Sequence, residues 1–193
     1  MMWDLPKEIY GIAKDKNNDD VPLRIRNECD YRVVLDVIGA LNDEELEKEE
    51  RLKCALFIFY ENIEECIDYE TASKEMLIIV NNGNEDTEEE QQNDKPPIMD
   101  WHHDFNKIAP PITRVLGYSV RDSKNYTHWY DFVGAYMEIG ECSFSNIVSI
   151  RSKKQKGKKL DKWEEEFYRE HKKEIDLPRK LTKEEMEWLD SDW

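Results

Sequence analysis

Tyr126-Thr127-His128-Trp129-Tyr130-Asp131-Phe132-Val133-Gly134-Ala135-Tyr136-Met137-Glu138-Ile139 is the stretch on which the fold class turns. Tyr126, Trp129, Tyr130, Val133, Tyr136 and Met137 recur at three- and four-residue intervals, which places them on one face of an α-helix. Phe132, Ala135 and Ile139 occupy the flank, so this is the strongest apolar helix in the chain. Just downstream, Ser143 is positioned to cap a short helix with Phe144, Ile147 and Val148 inside. Upstream, Asp100 caps another helix. Pro110-Pro111 should break it at Ala109, because two amide donors are lost and the preceding residue is pushed out of the helical region. A new helix then starts at Pro111, with Ile112, Val115 and Leu116 inward and Gly117 just past its end.

The same reading extends to both ends. Residues 5–27 predict a β-hairpin, with Glu8–Ile12 and Pro22–Arg26 alternating apolar with polar around Asn17-Asn18-Asp19-Asp20. Tyr31, Val34, Leu35 and Ile38 predict a helix. The next should begin at Asn42, which forms a capping-box pattern with Glu45. Its inner face is Leu52, Ala55, Leu56, Phe59 and Tyr60, and Phe57 and Ile58 widen it enough to predict burial on most sides. Ala72, Met76, Leu77 and Ile79 give a further helix, stopped at Asn82-Gly83. Residues 84–94 contain no apolar side chain, and Pro96-Pro97 closes the stretch, so residues 81–97 read as a flexible acidic loop. Trp163, Phe167, His171 and Ile175 recur every fourth residue on a highly charged helix, the narrow stripe of an arm that docks on something. Leu181 and Met186 around a capping box of Thr182 and Glu185 predict a last helix from Thr182. The expected fold is mostly α, a helical bundle with a small N-terminal β-hairpin and a C-terminal helical arm. Its parts are 1–80, hairpin plus helices; 81–97, the acidic loop; 98–150, the helical core; and 151–193, a basic linker and charged arm.

Composition narrows the function. The 193 residues carry 39% hydrophobic and 37% charged side chains with only seven glycines, which favours helices around a real core. The apolar runs are too short to span a bilayer and the N-terminus lacks the pattern of a signal peptide. A cytoplasmic location is expected, with Cys29, Cys54, Cys66 and Cys142 as reduced core residues. A net charge of −16 argues against general nucleic-acid binding. His102 and His103 diverge by about 100° on a helix, so with Asp100, Asp104 and His128 they make a poor metal site. His128, next to Trp129, reads as a packed or capping histidine. Glu138, Glu141, Cys142 and Ser143 lack a basic orienter in their own segment, and no nucleotide-binding or hydrolase motif is present. The expectation is a protein that is not an enzyme and needs no cofactor. Arg151, Lys153, Lys154, Lys156, Lys158 and Lys159 form the chain's basic run. A contact with an acidic surface of another subunit suits it better than RNA, since no aromatic is interleaved.

His128-Trp129 followed by Phe132, and then Ile147-x-x-Ile150-Arg151 running into lysines, resembles a family of small proteins from siphophages of Gram-positive bacteria. These are encoded beside the tape measure protein and regarded as tail assembly chaperones. Met99-Asp100-Trp101, Asp104 and Gly117 fall where that family has an acidic-aromatic helix and a glycine turn. The resemblance is specific over residues 98–177 and weaker over 1–82. It implies a continuous helix where Pro110-Pro111 stands, and no catalytic residues. It also implies a chain that coats and solubilises the tape measure protein in the host cytoplasm, self-associates, pairs with a second or frameshifted chaperone, and is absent from the mature virion. The residues expected to meet partners are Tyr126, Trp129, Tyr130, Phe132 and Tyr136 on the aromatic helix, Arg151, Lys153, Lys154, Lys158 and Lys159 in the basic run, and Trp163 and Phe167 on the arm. The alternative is an RNA-binding regulatory protein using the run from Arg151 to Lys159.

Overall fold

Apolar–polar alternation at the start of the chain closes into a hairpin around residues 15–19. In the computed structural model, which describes residues 8–84 and 97–178, β1 (Glu8–Lys14) pairs antiparallel with β2 (Asp20–Arg24). Ile9 lies opposite Leu23 and Ala13 opposite Val21. The Asp15 carboxylate builds the turn by accepting from the Asn17 and Asp19 amides at 2.7 and 2.9 Å. The outer edge of β2 does not stay open. Asn62 Oδ1 accepts from the Arg24 amide at 2.9 Å, its Nδ2 donates to the Pro22 carbonyl at 3.1 Å, and the Glu61 amide donates to the Arg24 carbonyl.

Seven α-helices follow among the described residues. A turn at Asn27, Glu28 and Cys29 has three successive positive φ values, a left-handed path that costs roughly 1–2 kcal/mol per residue. The Tyr126 hydroxyl braces it by donating to the Glu28 carbonyl at 2.7 Å. α1 (Tyr31–Leu41) starts at Asp30, whose carboxylate accepts from the Arg32 amide. α2 (Lys48–Phe59) packs back along α1. α3 (Tyr69–Val80) is capped by Asp68 and lies against β1. α4 (Trp101–Leu116), α5 (Trp129–Met137), α6 (Ser143–Gln155) and α7 (Lys162–Ile175) complete the order. The mostly α body with its N-terminal hairpin is as the sequence predicts.

The main core is aromatic at its centre. Tyr31 and Phe132 stack at 4.2 Å with planes 3° apart, and Trp101 leans on Tyr136 at 5.0 Å. Tyr31 donates to the Val120 carbonyl at 2.7 Å. Arg32 Nη2 gathers the carbonyls of Val120, Asp122 and Asn125, which fixes the loop that returns the chain to α5. A second, smaller cluster joins Ile147 and Ile150 of α6 to Ile175 of α7, with Leu160, Phe167 and Tyr168 against it.

Several elements differ from expectation. α2 begins six residues after Asn42, because residues 42–47 are needed to reverse the chain after α1, and the capping box is made by Glu47 with Glu50. α2 is not buried on most sides: Lys53, Cys54 and Phe57 face solvent. α4 does not break at Ala109. The Asn106 carbonyl, which loses its helical donor at Pro110, accepts from Arg121 Nη2 at 3.0 Å, and the helix runs to Leu116 as the resemblance implies. Gly117 ends it with φ 79°, a left-handed position that suits glycine. Val115 is exposed, not inward. Cys142, not Ser143, caps α6, and its amide donates to Ser145 Oγ at 2.9 Å. α6 also continues through Arg151–Gln155, so the first half of the expected basic linker is helix. Residues 85–96, most of the expected acidic loop, and the helix expected from Thr182 lie outside the described residues.

Candidate partner-binding surface

The aromatic helix sends its largest rings inward. Trp129 is 3% exposed and Phe132 is fully buried, so neither reaches a partner in this fold. The face expected to be central is rotated, with Phe132 and Ala135 inside and Met137 outside, because α1 and α4 pack on the Phe132 side. Tyr126 precedes α5 and braces the left-handed turn. Burial pushes its hydroxyl up to about 12, helped by the nearby Cys29, Glu28 and Asp30. Tyr130 and Tyr136 are half-buried, and the Tyr136 hydroxyl meets Met99 Sδ at 3.1 Å. His128 is the N-cap of α5, its Nδ1 accepting from the Tyr130 amide at 3.1 Å, in line with a capping histidine. The residues that carry the resemblance are therefore largely packing and capping residues.

The basic run divides in two. Arg151 is buried and grips Asp104 with both amino groups, at 2.6 and 3.0 Å. The same guanidinium donates to the carbonyls of Ile98 and Ile175, so one side chain ties α4, α6 and the end of α7 together. Lys153 pairs with Glu164 of α7, and Lys154 with Asp176 and Tyr168. Burial opposes the charges of Lys154 and Asp176, yet the hydrogen bonds each makes win: the lysine is raised and the aspartate lowered from their ordinary values. Arg151 faces inward, contrary to the expectation of a free contact surface, whereas Lys153 and Lys154 are tied to α7 and the residue after it while staying partly in solvent. Lys156, Lys158 and Lys159 remain exposed in the turn around Gly157.

Asp104 leads the expected acidic-histidine cluster elsewhere. Its oxygens take Arg151 and the Asp100 amide, His103 donates its backbone amide to Asp100, and His102 faces solvent. Among the described residues no three His, Cys, Asp or Glu side chains converge as metal ligands. Cys29 and Cys66 are buried, with burial pushing Cys29 up to about 12, while Cys54 is exposed. A cleft of about 350 Å³ lies between α4 and the start of α6, lined by Lys107, Pro110, Pro111, Arg114 and Phe144 among others.

The outer face of α7 carries an aromatic ridge that reaches solvent. Trp163 is 54% exposed and stacks on Phe167 at 5.2 Å, and Phe167 meets His171 at 4.6 Å. Phe167 is half-buried because its inner edge closes the small core. Glu166 and Glu170 stand beside these rings, three and seven residues past Trp163. Their positions follow from the helical spacing alone, but an apolar periodicity does not register them. The Asp104–Arg151 pair left no sequence signal at all, since 47 residues separate its partners.

No helix among the described residues is long and apolar enough to cross a membrane. The family model of the Bacteriophage Gp15 protein matches residues 23–177. No curated protein and no solved structure matches the chain.

Proposed function

Because the chain belongs to the Bacteriophage Gp15 protein family, we propose that it is a tail assembly chaperone that coats and solubilises the tape measure protein while the tail is built. The observation that carries this reading is the exposed Trp163–Phe167 stripe on a chain of net charge −16. A long helical tape measure exposes apolar stripes until the tail tube encloses it, and bare stripes aggregate. A small acidic subunit that lays one aromatic face on such a stripe hides it and keeps its own charge outward. Each contact is small, so the coat gains its hold from many copies and still comes off. Copies meet through the exposed Lys156, Lys158 and Lys159 turn against the acidic surface of a neighbour, and a second or frameshifted chaperone fits the same scheme. The reading places the chain in the host cytoplasm and outside the finished virion, with no catalysis and no cofactor.

The RNA-binding alternative is weaker on the same grounds. Arg151, Lys153 and Lys154 are engaged by Asp104, Glu164 and Asp176, which leaves half of the run for phosphates.

Co-expression with the tape measure protein is the test. The expected result is a tape measure protein that is insoluble alone and becomes soluble and co-purifies with this chain. Failure to co-purify at low salt, where the lysine contacts are strongest, would overturn the reading.

A further inference from the structure

We propose that the outer face of α7 is a docking surface for a basic amphipathic helix, one that carries lysine or arginine beside its apolar stripe. The proposal rests on the chaperone reading for the source of such a helix, whereas its chemistry is read from α7. Trp163 and Phe167 present a stacked aromatic ridge. Glu166 and Glu170 follow Trp163 at three and seven residues and so line the same side of the helix, and Glu174 comes next, past the non-helical backbone at His171. All three carboxylates are exposed. Among the described residues, two of them pair with neighbours within α7: Glu166 lies 3.8 Å from Arg169, and Glu174 lies 3.6 Å from His171. Such exposed pairs hold a charge weakly and release it readily to a better partner.

A neutral apolar helix would cover the rings and leave the acidic row with no more than its weak pairings to Arg169 and His171. An acidic helix would be repelled. A helix with cations along one border satisfies both at once, the rings by burial and the row by complementary charge. Two other occupants fit less well. Residues 179–193 carry five acidic against three basic side chains, so they bring mostly like charge to the row. A second copy brings a chain of net charge −16, and its exposed lysines sit in the α6–α7 turn, not on an amphipathic helix.

The test uses the full chain and three labelled peptides of about 20 residues, long enough to cover α7. They share one leucine stripe and differ in whether lysine, glutamine or glutamate borders it. Fluorescence anisotropy should show the lysine peptide binding about tenfold or more tighter than the glutamine peptide, with the glutamate peptide weakest. Trp163→Ala with Phe167→Ala should abolish binding while the circular dichroism of the chain stays helical. Glu166→Lys with Glu170→Lys should reverse the order and favour the glutamate peptide. Asp36→Lys with Glu64→Lys, an equal change of net charge elsewhere, should leave the order intact. Equal affinity for all three peptides, or the same reversal from both charge variants, overturns the proposal. So does about tenfold tighter peptide binding on Met186→Asp with Leu189→Asp, which would make the C-terminal segment the occupant. Loss of a sedimenting oligomer in the Trp163/Phe167 variant would make it a second copy, with the same consequence. Peptide binding without tape measure co-purification leaves this proposal standing and sinks the chaperone reading; co-purification that ignores the Trp163/Phe167 variant does the reverse.

Discussion

The body built by α1 to α5 and the arm built by α6 and α7 are held by different forces. In the body, Tyr31, Phe59, Phe132, Ile108 and Ile112 are all but fully buried in one continuous apolar cluster that also takes Phe144 from the start of α6. In the arm, three buried isoleucines are accompanied by three charge pairs: Arg151 with Asp104, Lys153 with Glu164 and Lys154 with Asp176. Apolar burial is non-directional and not screened by salt, whereas ion pairs are directional and respond to screening, pH and the loss of either partner. The body is therefore built to persist, and the arm to be positioned. The surface proposed for docking lies on the arm, where attachment is most easily tuned.

The largest effect that would break this contrast lies in the body. Phe132→Ala removes a fully buried ring stacked on Tyr31 and should destabilise the whole chain by about 3–5 kcal/mol. Urea unfolding should show the midpoint falling for every probe together. If only the arm's signal moved, Phe132 would not belong to the common core.

A smaller and more local effect is expected from Arg151→Met. It leaves Asp104 buried without its cation and should cost on the order of 3 kcal/mol. Hydrogen exchange should quicken along α7 while α1 and α2 stay protected. Adding Asp104→Leu should recover part of the loss only, because the Ile98 and Ile175 carbonyls still lack the donor that Arg151 supplied. Full recovery would show that the apolar contacts alone seat the arm.

The smallest effect is the response to pH. The folded Asp176 carboxyl is lowered below its ordinary 3.8, so its contribution is present above that value and is lost as pH falls through the folded one. Lys154 is raised above 10.5, so its contribution is present below that value and is lost as pH climbs past the folded one. Both side chains are more than a third exposed, which makes the effect modest. Energy transfer between dyes on α4 and α7 should report a looser arm at pH extremes while the helical signal of the body holds. An arm that loosened equally at neutral pH would point away from this pair.

Local pattern was enough for the elements whose own residues dictate them. Tyr31, Val34 and Ile38 announced α1, Asp100 and Gly117 marked the ends of α4, and the charged periodicity around Trp163 announced an exposed stripe on α7. Pattern misled where a neighbour distant in sequence intervened. Nothing within residues 106–111 reveals that Arg121 will satisfy the Asn106 carbonyl and let the helix pass two prolines. Nothing within residues 126–139 reveals which of two apolar faces α1 and α4 will cover, so Phe132 and Trp129 looked available when they are core.

By itself, then, the amino-acid order determined a helical chain, a hairpin at its start, an acidic surface and an arm with one narrow aromatic face. Hydrophobic period, capping residues and net charge act over one or two turns, and they need no partner to be read. Tertiary structure alone decided which aromatics are core and which are surface, and it turned half of a basic run into internal struts. A buried guanidinium is stabilised only by groups brought to it through folding: Asp104 from 47 residues away, and carbonyls from just before α4 and from the end of α7.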